Sequence, residues 1–275
     1  MKSLDNKVVV ITGAGSGIGR ALALNVASKG ALLAVSDWNA DGLAETVDLL
    51  KHAGTKEIRS DVLDVSDRDA FISYAAAVAE QFGRVNVVVN NAGVSHTGSV
   101  LEMEYEDFDW IMGVNFWGVV HGTKEFLPHL VESGDGHLVN ISSIFGMISM
   151  PGQATYNATK YAVRGFTEAV REDMLVAKVP VGVTCVHPGG IKTGIVRNGR
   201  VTKGEDLDSL SRTFNKSLAR MSPERAAEII VNGVLNNKPR VFVGLDAVAL
   251  HNAGKFLGAR YQDLFARLSQ LVLKK

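Results

Sequence analysis

Short runs of apolar, mostly β-branched residues alternate with longer segments of helical periodicity along the chain. The runs predict strands at 7–11, 31–36, 57–62, 85–89, 137–142, 181–186 and 240–243. The segments between them predict helices at 18–29, 42–53, 68–82, 107–130, 154–179 and 223–236. The strand candidates are apolar nearly throughout, which is typical of strands buried on both faces. The pattern predicts a single-domain, Rossmann-type doubly wound α/β fold, with a parallel sheet of about seven strands and helices on both faces.

Two regions depart from this alternation. Residues 189–222 are long, polar and weakly periodic, which indicates a functional loop, and we expect it to contact substrate. Residues 244–275 form a predicted helical C-terminal tail whose apolar positions have helical spacing: Leu257, Tyr261, Leu264, Phe265, Leu268, Leu271 and Leu273. Such a stripe predicts packing on its own domain or on a sister subunit. A membrane-surface role, with Lys255, Arg260 and Arg267 as basic partners, is the alternative. No linker or repeat divides residues 1–275, so we expect one domain.

Composition narrows the function classes. The 275 residues include 29 basic and 29 acidic side chains, so the net charge is zero and nucleic acid is not an expected partner. Cys185 is the only cysteine, which excludes an intramolecular disulfide. No apolar run approaches the ~18 residues that a membrane span needs, and the polar start does not resemble a signal peptide. These features predict a soluble, cytoplasmic protein.

A glycine-rich stretch, Thr-Gly-Ala-Gly-Ser-Gly-Ile-Gly, follows the first predicted strand directly and continues into a helix. Glycine permits a tight turn and lets the backbone approach a pyrophosphate, while the helix N-terminus offers free N–H groups and a partial positive charge. The position between a buried strand and a helix makes this a candidate phosphate site. Its residues are Gly13, Ser16, Gly17, Ile18 and Gly19.

An acid, Asp37, ends the second predicted strand. A carboxylate there accepts hydrogen bonds from the adenosine ribose hydroxyls and repels a 2′-phosphate. Neither Ser16 nor Trp38 is an arginine that could bind such a phosphate. Arg20 lies in the first turn of the helix, where we expect a solvated surface role. The predicted cofactor is therefore NAD rather than NADP.

Tyr156 and Lys160 have the i, i+4 spacing that places both side chains on one helix face. A free tyrosine has a pKa of about 10 and is a poor base at neutral pH. We expect the lysine ammonium to lower the pKa of Tyr156 towards the range useful for general acid–base catalysis. Ser143 lies at the carboxyl end of a predicted strand, where its hydroxyl can orient a substrate oxygen.

Further motifs occur in a fixed order. They are Asn90-Asn91-Ala92-Gly93 after the fourth strand, Asn115 in a helix, Ser142-Ser143 closing the fifth strand, Tyr156-Asn157-Ala158-Thr159-Lys160, and Pro188-Gly189 after the sixth. Together with the glycine stretch they closely resemble the classical short-chain dehydrogenase/reductase family, over about residues 7–243. The resemblance implies hydride exchange at nicotinamide carbon 4. Tyr156 would then be the general acid/base, and Lys160 would also bond the nicotinamide ribose. Asn115 would hold a proton-carrying water chain.

The resemblance also implies further cofactor contacts. They are Asn91, Ala92 and Gly93, the adenine-contacting pair Asp64 and Val65, and Pro188, Gly189, Ile191 and Thr193 near the carboxamide. Asp64 is chosen over Asp61 because Ser66-Asp67 follows it. Family members are usually dimers or tetramers, so a homo-oligomer is expected, with the helices starting near Asp107 and Ala154 at one interface.

The substrate residues are expected among Ser143, Tyr156, Ser95 and Met147. Ser95 and His96 follow the Asn-Asn-Ala-Gly turn, and Met147, Ile148 and Met150 lie between the serine and tyrosine motifs, as pocket wall or as core. Ile195, Phe214 and Met221 fall near the expected mouth. His187 is interpreted as a packing or hydrogen-bonding residue, and no metal site is predicted because the histidines show no ligand grouping with carboxylates.

These residues predict an NAD(H)-dependent oxidoreductase that interconverts an apolar secondary alcohol and its ketone. One alternative is an NADPH-dependent 3-oxoacyl reductase of the same family. The acid at Asp37 and the tail beyond residue 243 argue against it. The other alternative is a regulator that senses NAD(H) without catalysis, and the complete set of Asn115, Ser143, Tyr156 and Lys160 argues against that.

Overall fold

A computed structural model describes residues 1–213, 216 and 219–273 of the chain. The strands are β1 (Val8–Thr12), β2 (Leu32–Asp37), β3 (Ile58–Val62), β4 (Val87–Asn90), β5 (His96–Thr97), β6 (His137–Ile141), β7 (Gly182–Pro188), β8 (Arg200–Val201) and β9 (Arg240–Val243). The helices are α1 (Gly17–Ala27), α2 (Ala40–His52), α3 (Arg68–Phe82), α4 (Tyr105–Met112), α5 (Gly118–Glu132), α6 (Ala154–Val176), α7 (Leu207–Thr213), α8 (Pro223–Leu235), α9 (Leu245–Leu257) and α10 (Tyr261–Leu273).

Within the described residues, seven strands form one parallel sheet in the order β3-β2-β1-β4-β6-β7-β9. The chain runs outward from β1 to β3, then returns to the centre and runs outward in the other direction from β4. The order therefore reverses between β1 and β4, and a crevice opens there beyond the carboxyl ends of the strands, where such sheets bind ligands. The predicted doubly wound fold is confirmed.

Helices cover both faces of the sheet. One hydrophobic cluster joins α1 and α8 to the sheet and includes Leu22 and Ile230, while a second joins α3, α5 and α6 and includes Phe71 and Phe126. The central strands β1, β4 and β6 are buried along their whole length, as their mostly apolar sequences predict. The edge strand β3 is only partly covered, and its sequence Ile-Arg-Ser-Asp-Val carries three consecutive polar residues.

The predicted helix at 107–130 is interrupted. Residues Gly113–Trp117 form a π-helical turn between α4 and α5, and this turn carries Asn115. Gly118, which follows the turn, lies where an added Cβ would come within 2.6 Å of the Val65 side chain. The sequence did not predict the turn, because hydrophobic periodicity does not distinguish one wide turn from a regular helix.

The predicted C-terminal tail consists of α9 and α10, joined by a 3-10 turn at Gly258–Arg260. Both helices pack on residues 144–148, and Ile144, Ile148, Ala247 and Tyr261 form the buried centre of this contact. Gly254 allows the approach, because an added Cβ there would lie 2.7 Å from Ile148. Among the described helices, none is both long and apolar enough to span a bilayer.

Candidate active site

The glycine loop between β1 and α1 has a shape that only glycine fits. Gly13 and Gly17 have φ values of 67° and 52°, in the left-handed region that favours glycine. An added Cβ on Gly13 would lie 2.7 Å from Ala92 Cα, and one on Gly19 would lie 2.0 Å from the Gly13 carbonyl oxygen. The Ser16 side chain does not cap α1. The first backbone N–H groups of α1 therefore receive no side-chain bond from the N-cap residue, an arrangement suited to binding phosphate groups.

Asp37 joins β2 to this loop. Its Oδ2 accepts the Gly15 N–H at 2.8 Å, and its Oδ1 accepts the Asn39 N–H at 2.9 Å. The carboxylate is buried at the crevice edge, where the sequence places a ribose-binding acid. The residue therefore also holds the glycine loop in shape, a role that the sequence did not predict.

Arg20 does not have the solvated role expected for it. Its guanidinium donates to the Gly15 carbonyl at 2.5 Å, to the Thr46 hydroxyl at 2.9 Å and to Glu45 at 2.7 Å. The guanidinium lies between the glycine loop and α2, because the carbonyls of Gly15 and Gly42 and the α2 side chains all accept from it. Arg20 thus ties the glycine loop to α2.

The Asn-Asn-Ala-Gly motif closes the other side of the crevice. The backbone N–H groups of Asn91 and Ala92 donate to the Thr12 hydroxyl, each at 3.1 Å, and the Asn91 amide donates to the Thr12 and Gly13 carbonyls. These bonds fasten the end of β4 to the glycine loop. Gly93 then faces the catalytic candidates, because an added Cβ would lie 3.5 Å from Lys160 Nζ.

Asn115 is fully buried beside Gly93. Its Oδ1 accepts the Val94 N–H at 2.8 Å, and its Nδ2 donates to the Val94 carbonyl at 2.9 Å and to the Thr159 hydroxyl at 3.2 Å. The π-helical turn therefore places this amide between the end of β4 and the helix α6 that carries Tyr156.

Ser143 follows β6 at the carboxyl edge of the sheet. Its Oγ accepts the Phe145 N–H at 3.1 Å, and its carbonyl lies 3.0 Å from His187 Nδ1. Since a carbonyl only accepts, His187 must carry its proton on Nδ1. Burial lowers the pKa of His187 to about 4, so the ring is neutral. His187 is thus a hydrogen-bonding residue, as the sequence predicts, and it supports the serine.

Tyr156 and Lys160 meet on one face of α6, with Lys160 Nζ 5.5 Å from the centre of the Tyr156 ring. The ammonium also donates to the Ile141 carbonyl at 3.1 Å, and the Lys160 carbonyl accepts the Ser142 hydroxyl at 2.8 Å. The helix is thereby bonded directly to the end of β6. The predicted set of Asn115, Ser143, Tyr156 and Lys160 converges at this point of the crevice.

The protonation state of this pair differs from the expectation. Burial raises the pKa of Tyr156 to about 12, and the Ser143 hydroxyl opposes the shift only partly. Burial also lowers the pKa of Lys160 to about 8. The expected lowering of the Tyr156 pKa by the ammonium is therefore not found in this structure, because desolvation of the buried phenolate is the largest influence on that pKa.

The segment after β7 returns to the glycine loop. An added Cβ on Gly17 would lie 3.1 Å from the Thr193 side chain, so Thr193 reaches the start of α1. Asp246 of α9 accepts the Gly190 N–H at 2.6 Å, and an added Cβ on Gly189 would lie 2.3 Å from its carboxylate. Ile191 is buried and pairs with Met221 in an isolated bridge. Pro188 is the last residue of β7.

The two candidates for adenine contacts lie after β3. Asp64 is exposed, and its Oδ1 accepts the N–H and the hydroxyl of Ser66 at 2.9 and 2.7 Å. Val65 is buried against Gly118. Asp61, the alternative to Asp64, forms a salt bridge with Arg59 in β3.

The substrate candidates separate into two groups, one bonded to other loop and helix segments and one packed against the C-terminal tail. Ser95 donates to the Ile195 carbonyl at 2.9 Å, and His96 is buried against Thr155, so both hold other segments in place. Met147 and Ile148 pack with the tail, and Ile148 is buried there as core. Phe214 lies outside the described residues. The sequence misassigned Arg20 and did not predict the Tyr261 bond to Ser149 or the Arg200 contacts, because these depend on distant segments.

The fold, the glycine loop and the catalytic candidates define a short chain dehydrogenase. The model of that family matches residues 7–204, and the chain belongs to it. The protein named SadH of Mycobacterium tuberculosis is 55% identical over 266 residues, which are 97% of this chain and 96% of SadH. Human estradiol 17-beta-dehydrogenase 11 is 29% identical over 97% of this chain and 84% of its own length.

A solved structure is also similar over nearly the whole chain. It is a short chain dehydrogenase/reductase from Burkholderia phymatum in complex with NAD, 31% identical, with a TM-score of 0.85 and coverage of 97% of both chains. The chain is thus an oxidoreductase of this family with a nicotinamide cofactor.

Proposed function

We propose that this protein is an NAD(H)-dependent oxidoreductase that interconverts an apolar secondary alcohol and its ketone. The observation that carries the proposal is the convergence of Ser143, Tyr156 and Lys160 beside Gly93 at the carboxyl edge of the sheet. A hydroxyl, a phenol and an ammonium at one point can orient a substrate oxygen and move a proton to or from it.

Tyr156 is the general acid/base in this proposal. In ketone reduction its phenol donates a proton to the carbonyl oxygen, and in alcohol oxidation the phenolate removes the hydroxyl proton. Ser143 orients that oxygen, and its own position is maintained through the His187 contact at 3.0 Å. Lys160 supports the proton transfer from the next turn of the helix. Asn115 connects the site to the Val94 backbone and to Thr159.

The glycine loop and its neighbours fit NAD. Added Cβ atoms on Gly13 and Gly19 would clash with the surrounding backbone, so only glycine at these positions permits the tight loop that leads into the N-terminus of α1. Gly13, Ser16, Gly17, Ile18 and Gly19 would hold the pyrophosphate. Asp37 would bind the adenosine ribose and disfavour a 2′-phosphate. Bound NAD supplies the hydride acceptor, and NADH the hydride donor.

Further residues would complete the cofactor site. They are Asp64 and Val65 at the adenine, Asn91, Ala92, Gly93, Tyr156 and Lys160 along the crevice, and Pro188, Gly189, Ile191 and Thr193 near the nicotinamide. The reach of Thr193 to Gly17 supports the last group. The NAD complex of the Burkholderia phymatum relative supports the choice of cofactor.

The apolar substrate class is supported by the surroundings of the catalytic set. Met147 and Phe145 are partly buried next to Ser143, and Ile195 is partly covered in the loop bonded to Ser95. The human relative is named as an estradiol dehydrogenase. Ser95 and Met147 are the proposed substrate contacts in addition to Ser143 and Tyr156.

An activity screen tests the proposal. The protein is incubated with NAD and a panel of hydrophobic secondary alcohols, or with NADH and the matching ketones, while NADH fluorescence is followed. Tyr156→Phe should leave NADH binding intact and lower turnover by about 10²–10⁴-fold, the usual contribution of general acid–base catalysis. Tyr105→Phe is the matched control, because Tyr105 is 82% exposed. Unchanged turnover in Tyr156→Phe would refute the assignment, and NADH binding without turnover of any substrate would favour a sensor.

We also propose a homo-oligomer, a dimer or tetramer, with α4–α5 and α6 at one interface. Trp117 is 52% exposed at the start of α5, and Leu175 and Val176 are exposed at the end of α6. Large apolar side chains at the surface favour association. Light scattering after size-exclusion chromatography should show a multimer, and Trp117→Lys should shift it to a smaller species.

A further inference from the structure

Residues 95–98 lie between the proposed substrate loop and the helix that carries Tyr156. On the loop side, β5 pairs with β8 in parallel, with His96 opposite Arg200 and Thr97 opposite Val201. The Ser95 carbonyl accepts the Arg200 N–H at 3.0 Å, and the Ser95 hydroxyl donates to Ile195. The base of the loop is therefore bonded to this segment at several points.

On its other side the same segment contacts the entry to α6. His96 Nδ1 lies 3.1 Å from the Thr155 hydroxyl, and the Gln153 amide donates to the Thr97 hydroxyl at 2.7 Å. The Gly98 N–H donates to the Gly152 carbonyl at 2.9 Å. Thr155 directly precedes Tyr156, so the loop and the proposed acid/base share one set of supports.

A cluster built on the Arg200–Asp107 ion pair closes this arrangement from outside. Arg200 Nη1 donates to Asp107 Oδ1 at 3.0 Å, and Asp107 Oδ2 lies 3.6 Å from His96 Nε2. The Arg200 guanidinium also lies 4.1 Å from the centre of the Trp110 ring, within cation–π range. Asp107 and Trp110 both belong to α4, so the cluster fixes β8 to that helix.

The two short strands approach closely because glycines face them. Gly98 has a φ of 158°, and an added Cβ would lie 2.2 Å from the Thr202 side chain. An added Cβ on Gly199 would lie 2.3 Å from Ser95 Oγ. Each of these close contacts is possible only because the residue is a glycine, without a side chain. The two short strands therefore pack directly against each other.

We propose that Arg200, Asp107 and His96 form a clasp that holds the substrate loop against the entry to α6. The three are positioning residues: they act on substrate affinity by keeping the loop in register with Tyr156, and they do not touch the reacting atoms. The effect on substrate affinity rests on the proposed function, whereas the effect on the loop does not. A loop held in this way preorganises the pocket and so reduces the ordering cost of binding.

Asp107→Asn tests the clasp, because it removes the negative charge that pairs with Arg200 and changes the shape little. Glu228→Gln is the matched control: Glu228 forms an exposed salt bridge with Arg225 on α8, at 2.5 Å, away from the loop. Limited trypsin digestion followed by mass spectrometry reads the loop directly, since Lys192, Arg197 and Lys203 are exposed cleavage sites. Asp107→Asn should be cut there several-fold faster than wild type, and Glu228→Gln at the wild-type rate.

Kinetics then test the positioning role. With a substrate from the activity screen, Asp107→Asn should raise KM several-fold, and more than it raises the Kd for NADH, while kcat stays within twofold. Arg200→Gln should also raise KM and should be digested faster at Lys192 and Lys203. It keeps the test valid if Asp107→Asn does not fold. Arg200→Lys should give a KM between those of Arg200→Gln and wild type, because it keeps the charge.

Wild-type digestion rates at the loop sites in both variants would overturn the clasp, whether or not a substrate is known. Faster digestion with an unchanged KM would overturn the positioning role. If the activity screen finds no substrate, the proposed function fails, and the digestion result still decides the clasp.

Discussion

The Asp37 carboxylate accepts the Gly15 N–H at 2.8 Å. The acid at the end of β2 therefore shapes the glycine loop, although the whole of α1 lies between the two in sequence. Its second oxygen accepts the Asn39 N–H. One side chain therefore sets both the local charge at the proposed ribose site and the conformation of the proposed phosphate site.

Asp37→Ala should weaken NADH binding by more than tenfold and shift the relative preference towards NADPH. Hydrogen bonds to charged groups contribute about 1.5–3 kcal/mol each, and loss of the negative charge removes the repulsion of a 2′-phosphate. Titration of NADH and NADPH by fluorescence measures both effects. Asp41→Ala, an exposed carboxylate in the first turn of α2, is the control. A wild-type protein that already prefers NADPH would contradict the assignment of Asp37.

The pH dependence should differ between the two directions of the reaction. Burial raises the pKa of Tyr156 to about 12, so the phenol is protonated at neutral pH and ready to act as an acid. Oxidation requires the phenolate, whose fraction rises about tenfold per pH unit below the pKa. Oxidation rates should therefore increase from pH 6 to 9, whereas reduction rates should not.

Initial rates in both directions, in buffers of constant ionic strength, measure this difference. The Tyr105→Phe variant should reproduce the wild-type profile. An oxidation rate that is flat across the range would show that Tyr156 is not the titrating base.

Tyr261→Phe should raise KM for substrate by about fivefold, which corresponds to one neutral hydrogen bond of roughly 1 kcal/mol. The Tyr261 hydroxyl accepts the Ser149 N–H at 2.9 Å and so holds the wall of the pocket from the C-terminal tail. NADH affinity should not change, because the contact is remote from the glycine loop. Truncation before Gly254 should give a larger effect on substrate affinity or assembly. An unchanged KM in both variants would mean that the tail does not support the pocket.

Two glycine substitutions should affect different properties: one weakens NADH binding, and the other increases the stability of the fold. Gly19→Ala should weaken NADH binding at least tenfold, because its Cβ would lie 2.0 Å from the Gly13 carbonyl oxygen. Gly165→Ala, inside α6, meets no atom within 4 Å, and it should raise the free energy of unfolding by about 0.5–1 kcal/mol because alanine is the better helix former. Fluorescence titration and urea denaturation measure the two effects. Normal NADH binding in Gly19→Ala would refute the close approach at the loop.

The strands and the glycine loop could be predicted because their signals are local. The strand β1 is a continuous buried run, and the glycines follow it within a few residues. The fold class follows from the repetition of this pattern. Tyr156 and Lys160 were also predictable as neighbours, since helix geometry alone brings i and i+4 together.

The remaining features depend on residues far apart in the chain. Ser149 and Tyr261 are separated by 112 positions, and Asp107 and Arg200 by 93. The strands β5 and β8 have two residues each, too few for any periodicity. Arg20 was misassigned for a similar reason: its position in the first helical turn does not show that α2 and a carbonyl of the loop surround it.

The Asn115 amide has one further consequence. It accepts from the N–H and donates to the carbonyl of the same residue, Val94, as a peptide group on a neighbouring strand would. A side chain here completes the main-chain hydrogen bonds of Val94, four residues beyond the end of β4. Aspartate could accept but not donate at this place, and glutamine is one carbon too long. The main-chain hydrogen bonds of Val94 therefore determine which residue fits here, independently of catalysis. Substitutions at Asn115 will change the backbone after β4 as well as catalysis.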